Sequence, residues 1–210
     1  MTRPLIGVTT DVGAAVWRDR VREAVLSPAV YSSALERAGA VPVLLPPVLT
    51  GAAGQLAAGL DGLMFCGVAA EFEAALMRAA ITADVPFLAL SRGLALLNLC
   101  LGGTLDPAPA APDDPPGTCA VRISPDSRLG RMLGPSTTVP ADRRQVLAEL
   151  GTGLTAVAWD RDDTVAAVEV AGHRFGLGIR WQPGENDDPR IFAELRTAAA
   201  RRAPVPAAAS

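Results

Sequence analysis

The sequence predicts an α/β fold built on a mostly parallel central sheet. Short runs of apolar and β-branched residues alternate with segments of helical spacing, as in repeated strand–helix–strand units. With 210 residues, 50% of them hydrophobic, the chain can bury one sizeable core. The apolar run 86–90 breaks at Ser91 and passes directly into an apolar helix, which gives a strand, a sharp turn and a helix in succession. We expect one domain over residues 1–203 and a tail over residues 204–210.

Composition and charge argue against several classes of function. The net charge is −3 and the sequence contains no Lys/Arg-rich run, which argues against a nucleic-acid partner. No apolar stretch reaches the roughly 18–20 residues of a membrane span, and no basic-then-apolar leader opens the chain. Three cysteines without paired spacing suit a reducing cytoplasm, and the Ala, Pro and Arg richness suggests a bacterial source. The single histidine excludes mechanisms that need two, and we expect neither a metal nor a cofactor.

The first half of the chain is expected to alternate strands with helices. Residues 11–26 carry mixed charges and are expected to be irregular or weakly helical. The predicted strands are 3–10, 41–45, 61–65 and 86–90, and the predicted helices are 28–38, 52–60, 71–83 and the apolar segment that ends at Gly102.

The second half is expected to be richer in strands. Five prolines in residues 106–117 predict an extended loop, because proline neither pairs within a sheet nor continues a helix. The predicted strands are 118–124, 154–159, 164–170 and 175–181, residues 137–139 approach the sheet again, and the predicted helices are 127–133 and 190–202.

The turn at Ser91 has the form of a nucleophile elbow. Such a turn lifts one side chain above the carboxyl edge of the sheet and aims the N-terminus of the following helix at it. Leu90-Ser91-Arg92-Gly93, then Leu97-Asn98 and Gly102-Gly103-Thr104-Leu105, resembles the segment G-I-C-R-G-x-Q-x-x-N…G-G-T-L of class I glutamine amidotransferase-like hydrolases. The gamma-glutamyl-gamma-aminobutyrate hydrolase (peptidase C26) branch is the most similar, and residues 38–47 nearly reproduce its A-G-G-V-P-V-L-L-P-P signature. The resemblance extends from Arg3 to about Leu195 and implies a flavodoxin-like three-layer sandwich.

The resemblance also implies that the catalytic residues have been replaced. A cysteine nucleophile, a histidine base and a glutamate that orients the histidine perform the hydrolysis in this family. Ser91 stands at the cysteine position, and in the G-V-Q-W-H-P-E motif Gln182 and Gly184 stand at the histidine and glutamate positions. A glutamine amide is neither a usable acid nor a usable base near neutral pH, so all three positions are expected to be inactive for the family reaction. Glu185 could replace the glutamate through a one-residue shift, although a solvated carboxylate is the simpler interpretation.

Two thiols and the histidine are candidates for displaced catalytic groups. In the family, a glycine-rich turn donates N–H groups to the oxyanion; here that turn is Cys66-Gly67-Val68, and the loop that normally follows it is missing. Cys66 is expected near the pocket without a histidine partner, and Cys100 in the core. His173 is expected to be a surface residue of a hairpin turn, remote from the site.

Arginines accumulate at the same site. Arg92, Arg143, Arg144 and Arg180 are expected at its mouth, beside Asp142. They are either solvated or paired with Asp142 and Glu185, or else they form a pocket for a carboxylate or phosphate.

The sequence therefore favours a catalytically degenerate homologue with a binding, scaffold or regulatory role. The alternative is a repurposed enzyme of specialised metabolism that uses Ser91, Asp142 and the arginines, and a serine-dependent gamma-glutamyl amide hydrolase ranks third. The expected partners are a small anion and a protein partner or second copy of the chain.

Overall fold

The computed structural model describes residues 2–47, 50–67, 70–107, 117–140, 145–183 and 188–202. The strands are β1 Leu5–Thr9, β2 Asp11–Trp17, β3 Arg20–Leu26, β4 Val41–Leu45, β5 Gly62–Phe65, β6 Phe87–Leu90, β7 Leu105–Pro107, β8 Thr118–Ile123, β9 Ser136–Pro140, β10 Gln145–Leu147, β11 Leu154–Trp159, β12 Val165–Val170 and β13 Gly176–Ile179. The helices are α1 Ala29–Arg37, α2 Ala53–Gly59, α3 Ala70–Thr82, α4 Arg92–Cys100, α5 Arg128–Leu133 and α6 Arg190–Ala200, with a short 3₁₀ turn at Thr50–Ala52. Among these described helices, none is long and apolar enough to cross a membrane.

A nine-stranded sheet in the order β4-β1-β5-β6-β13-β12-β11-β8-β9 forms the centre of the molecule. The pairings from β4 to β13 are parallel, and those beyond β13 are antiparallel. Helices α1, α5 and α6 pack on one face, and α2, α3 and α4 pack on the other. The predicted three-layer α/β sandwich is confirmed.

The central strands are apolar on both faces because both faces are covered. Along β6, Phe87 and Ala89 pack into the layer of α3 and α4, whereas Leu88 and Leu90 pack into the layer of α1 and α6. Phe65 of β5 meets Phe87 edge to face, with ring centroids 5.8 Å apart. This arrangement explains why the strand predictions from continuous apolar runs were successful.

Residues 11–26 correct one prediction. They form a two-stranded antiparallel sheet, β2–β3, rather than an irregular or weakly helical segment. Val12 lies opposite Val25, and Val16 lies opposite Val21, so four valines that are 47–74% exposed share one face. The mixed charges that obscured the alternation extend from the turn, where Arg18 adopts a positive φ of 59°, into β3, where Arg22 and Glu23 follow each other.

A second small sheet joins β7 to β10, so the predicted loop 106–117 begins as a strand. Residues 108–116 of that loop and the predicted tail at 204–210 lie outside the described residues. Residues 137–139 belong to β9, which pairs with β8 at the edge of the central sheet.

Candidate functional site

The turn between β6 and α4 holds Ser91 in a strained backbone conformation, with φ 49° and ψ −103°. Such a conformation costs about 1–3 kcal/mol in a non-glycine residue and persists only when the surroundings fix it. Here the Ser91 N–H donates to the Ile179 carbonyl at 2.8 Å. Gly93 allows α4 to approach β5, since a Cβ at this position would lie 2.6 Å from the Phe65 carbonyl oxygen. The geometry of a nucleophile elbow is therefore present at a serine.

Ser91 faces a cavity of about 630 Å³ at the carboxyl edge of the parallel strands. Six of the predicted site residues line it: Cys66, Gly67, Ser91, Arg92, Arg180 and Gln182. The other four predicted site residues, Asp142, Arg143, Arg144 and Gly184, lie outside the described residues, as does Glu185. Three polar residues of the lining, Asp11, Tyr31 and Glu73, were not predicted from the sequence.

The turn after β5 directs its N–H groups into the protein. The Cys66 and Gly67 N–H groups donate to the Thr9 hydroxyl oxygen at 2.9 and 3.1 Å. The Gly67 N–H also donates to the Glu73 carboxylate at 3.1 Å. Only glycine fits there without a backbone shift, because a Cβ on Gly67 would lie 2.7 Å from the Thr10 carbonyl oxygen.

Glu73 places a carboxyl group under this turn. It lies in the first turn of α3, is 2% exposed, and accepts a short hydrogen bond from the Thr9 hydroxyl. Burial raises its pKa, the bonds from Thr9 and Gly67 oppose that shift, and nearby Asp11 adds to it. The sequence does place Glu73 near the acidic start of the helix predicted at 71–83. Acidic residues at a helix start are usually exposed, so this position gave no reason to expect a buried carboxyl group.

Cys66 is a poor nucleophile in this environment. Its thiol bonds to the Thr9 carbonyl oxygen at 3.2 Å. Burial and the adjacent Glu73 raise the pKa of the Cys66 thiol to about 12, so the thiolate is negligible at neutral pH.

Gln182 lies at the cavity as the resemblance implies, and its side chain is engaged. The Tyr31 hydroxyl donates to Oε1 of the Gln182 side chain at 2.6 Å. The pair can position a ligand by hydrogen bonding, but an amide cannot carry a proton between reacting groups.

Arg180 is bound in a buried ion pair that the sequence did not indicate. Its guanidinium lies 2.6 Å from the Asp160 carboxylate, and the two side chains are 11% and 3% exposed. Asp160 also accepts the N–H groups of Asp162 and Thr164. Burial opposes ionisation of Asp160, but the bonds from Arg180 and these two N–H groups outweigh it and lower its pKa. The positive charge of Arg180 is therefore largely compensated within the protein.

His173 corrects a further prediction. Its side chain is 4% exposed, not a surface group, and its ring lies 5.1 Å from that of Phe87. Burial lowers its pKa although Asp84 opposes the shift, and its Nδ1 accepts the Phe175 N–H at 3.2 Å. Phe87 begins β6 and Ser91 follows its other end, so about 13 Å of strand separates the imidazole from the elbow.

Comparison with known proteins connects this geometry to a family. The sequence profile of Peptidase C26 matches residues 69–184, more than half of the chain. The chain belongs to the peptidase C26 family. The Mycobacterium tuberculosis protein named "Putative glutamine amidotransferase Rv2859c" is 30% identical over 235 aligned positions, which cover 94% of this chain and 75% of that protein. The gamma-glutamyl-gamma-aminobutyrate hydrolase of Escherichia coli O157:H7 is 25% identical, over 79% of this chain and 81% of that protein.

Solved structures support the same fold. The glutaminase domain of Trypanosoma brucei CTPS superposes with a TM-score of 0.71 at 15% identity, covering 96% of both chains. A Thermoplasma acidophilum protein described as a putative GMP synthase component superposes with a TM-score of 0.71 at 16% identity, covering 95% of this chain and 96% of that one. The family match and the two relatives confirm the predicted membership of the class I glutamine amidotransferase-like superfamily, and the solved structures support its fold.

This peptidase C26 chain is shorter than its mycobacterial relative within the matched region. The 235 aligned positions exceed the 210 residues of the whole chain, so the relative contains residues there that this chain lacks.

Proposed function

We propose that this protein is a catalytically degenerate member of the peptidase C26 family that binds a small molecule at the elbow without hydrolysing it. The observation that carries the proposal is the 3.1 Å hydrogen bond from the Gly67 N–H to the Glu73 carboxylate. In amide hydrolysis this turn would need to stabilise a developing negative charge with unoccupied N–H groups. Here the donor is already engaged, and an ionised Glu73 would repel the oxyanion.

The nucleophile and base positions support the same interpretation. A serine hydroxyl requires a neighbouring base, whereas the residue at the base position, Gln182, is an amide bound to Tyr31. His173, the single histidine of the sequence, lies at the opposite end of β6.

The cavity lining favours a ligand with both a carboxylate and an amino group. Arg92 supplies an exposed guanidinium at the start of α4 for the carboxylate. In the same lining, the buried Oδ1 of Asp11 accepts no hydrogen bond from the described residues and suits an ammonium. Arg143 and Arg144 would add positive charge if they also face the cavity.

Hydrolysis assays test the first part of this proposal. The purified protein is expected not to release ammonia from glutamine or an amine from gamma-glutamyl amides, and Ser91→Ala is expected to behave identically. Turnover at rates typical of hydrolases that Ser91→Ala abolishes would overturn the proposal.

Thermal-shift titrations test the ligand. Glutamate and gamma-glutamyl amino acids are expected to raise the melting temperature more than succinate, since succinate lacks the amino group. Asp11→Asn is expected to remove that preference, and Arg92→Gln to weaken all of these ligands. A wild-type protein that none of them stabilises, or an Asp11→Asn variant that keeps the preference, would contradict the assignment.

A repurposed enzyme of specialised metabolism is the second candidate, and the strained backbone of Ser91 favours it. Strain of this kind is commonly retained where a side chain must be presented to a reacting group. Ser91→Gly relieves the strain, so a gain in stability together with loss of turnover in a metabolite screen would support this candidate.

A further inference from the structure

Four arginines line a second cleft, away from the elbow. The cleft has a volume of about 340 Å³ and lies between α5, the end of α6 and the turn that precedes β13. Its lining consists of Arg128, Arg131, Met132, Arg174, Glu194, Ala198 and Arg201. Because the turn leads into the amino end of β13, which is parallel to β6, the cleft opens at the opposite sheet edge from Ser91.

Contacts within the protein hold two of these arginines in place. The Arg128 guanidinium lies 5.3 Å from the centre of the Phe175 ring and donates to the Arg174 carbonyl oxygen. Arg174 lies 3.3 Å from the Asp84 carboxylate and donates to the Arg201 carbonyl oxygen at 3.1 Å. Their geometry is therefore fixed before any ligand arrives, which lowers the entropic cost of binding.

The cleft carries an excess of positive charge in a protein whose net charge is negative. Glu194 is the single carboxylate among the lining residues, and within the described part of the chain only Arg174 of the four arginines has a carboxylate within 4 Å. The four guanidinium groups carry four positive charges, and the carboxylates of Glu194 and Asp84 compensate two of them. The cleft therefore keeps two positive charges, whereas the whole chain has a net charge of −3.

We infer that this arginine cleft binds a small molecule through a phosphate dianion. Two surplus positive charges match the charge of a phosphate monoester, and guanidinium forks match its oxygens in bidentate geometry. Met132 and Ala198 provide apolar contacts for the carbon part of such a ligand. The volume is at the lower end of the range for small-molecule sites, which suits a compact phosphorylated metabolite. The inference is independent of the function proposed for the elbow.

Calorimetric titration of the full chain with inorganic phosphate tests the site. The double variant Arg131→Gln/Arg201→Gln removes two exposed guanidiniums and is expected to bind phosphate at least about tenfold more weakly than wild type. Arg78→Gln, an exposed arginine of α3 on the other face of the sheet and outside both cavities, is the matched control and is expected to retain wild-type affinity. Sodium chloride at equal ionic strength separates saturable binding from general screening.

The titrations either support or overturn phosphate binding in the arginine cleft. The cleft is supported if one phosphate binds saturably and the double variant weakens that binding whereas Arg78→Gln does not. Absence of saturable binding overturns it, as does a double variant with wild-type affinity, or succinate that binds as tightly as phosphate. If the double variant has lost its cooperative thermal transition in phosphate-free buffer, the single variants Arg131→Gln and Arg201→Gln are titrated instead, and wild-type affinity in both overturns the inference.

Discussion

The Gly67 N–H donates to the Glu73 carboxylate at 3.1 Å, so this N–H group of the turn after β5 is engaged inside the protein. The same carboxylate accepts the Thr9 hydroxyl, whose oxygen also receives the Cys66 N–H. A buried acid thus fixes the conformation of the turn and engages one of its N–H groups inside the protein.

Replacement of Glu73 by glutamine is expected to change how stability depends on pH. Burial raises the pKa of Glu73. Between the ordinary carboxyl pKa and this raised one, the folded state therefore keeps a proton that the unfolded chain has released. The contribution of Glu73 to the free energy of unfolding is fully present below the ordinary carboxyl pKa and is lost as the pH rises through the raised pKa. Glu73→Gln keeps an acceptor for Gly67 and cannot ionise, so its free energy of unfolding should fall less with rising pH than that of wild type.

Urea denaturation of both proteins between pH 4 and pH 8 measures this difference. Glu71→Gln, an exposed neighbour on the same helix, is the matched control and should follow wild type. A Glu73→Gln variant with the same pH profile as wild type would show that Glu73 titrates normally.

Restoring the family nucleophile alone is not expected to restore hydrolysis. With Gln182 at the base position, the thiol of Ser91→Cys should titrate near the ordinary pKa of about 8.5 and form little thiolate at neutral pH. Alkylation at pH 6, followed at each cysteine by peptide mass spectrometry, should therefore proceed no faster at position 91 than in a free thiol. Faster modification would reveal that an activating environment persists, and Cys66 provides an internal reference for an unreactive buried thiol.

The pair of Arg180 and Asp160 is expected to contribute strongly to stability. Removing one partner of a buried ion pair leaves an uncompensated charge and costs about 3–5 kcal/mol. Asp160→Ala also removes the acceptor for the Asp162 and Thr164 N–H groups, so about 3 kcal/mol or more should be lost in denaturant unfolding. Asp163→Asn is the control, because its 2.8 Å pair with Arg122 is exposed and should contribute at most about 1 kcal/mol, and asparagine tolerates the positive φ of 57° at this position. Equal losses in the two variants would contradict the burial argument.

The close packing at the elbow requires glycine at position 93, so replacing it with alanine should destabilise the fold. The same change to alanine at an open helical position should stabilise it. Gly93→Ala places a Cβ 2.6 Å from the Phe65 carbonyl oxygen and is expected to destabilise the fold by about 1–3 kcal/mol. Gly54→Ala, in α2 with no atom within 4 Å of the added Cβ, is expected to stabilise by about 0.5–1 kcal/mol. Melting temperatures of the two variants that shift in the same direction would refute this reasoning.

The sequence was sufficient to predict the layered architecture because β5, β6 and β13 are buried on both faces and read as continuous apolar runs. It failed for β2–β3, because the hairpin is largely exposed and the consecutive charges Arg22 and Glu23 interrupt the alternation within β3. The elbow followed from local sequence alone, since a strand, a turn and a helix are contiguous there.

The internal partners of the site could not be predicted. Glu73 lies 64 residues from Thr9, and Asp160 lies 20 residues from Arg180, so both pairings depend on the folded topology. Charged residues in helix starts and turns are usually solvated, and composition gives no indication that these two are buried. His173 was misassigned for the same reason, because its turn packs onto Phe87.

We expect the β2–β3 hairpin to open on a faster timescale than the central strands of the nine-stranded sheet. Its two strands pair mainly with each other and expose four valines, whereas β5 and β6 lie in the middle of the nine-stranded sheet. An isolated two-stranded sheet is marginal in water, so we expect this hairpin to open without global unfolding and its amide hydrogens to exchange with deuterium well before those of β5 and β6. Because Asp11 begins the hairpin and lines the elbow cavity, each opening also loosens one wall of that cavity, and a ligand held there would slow the exchange.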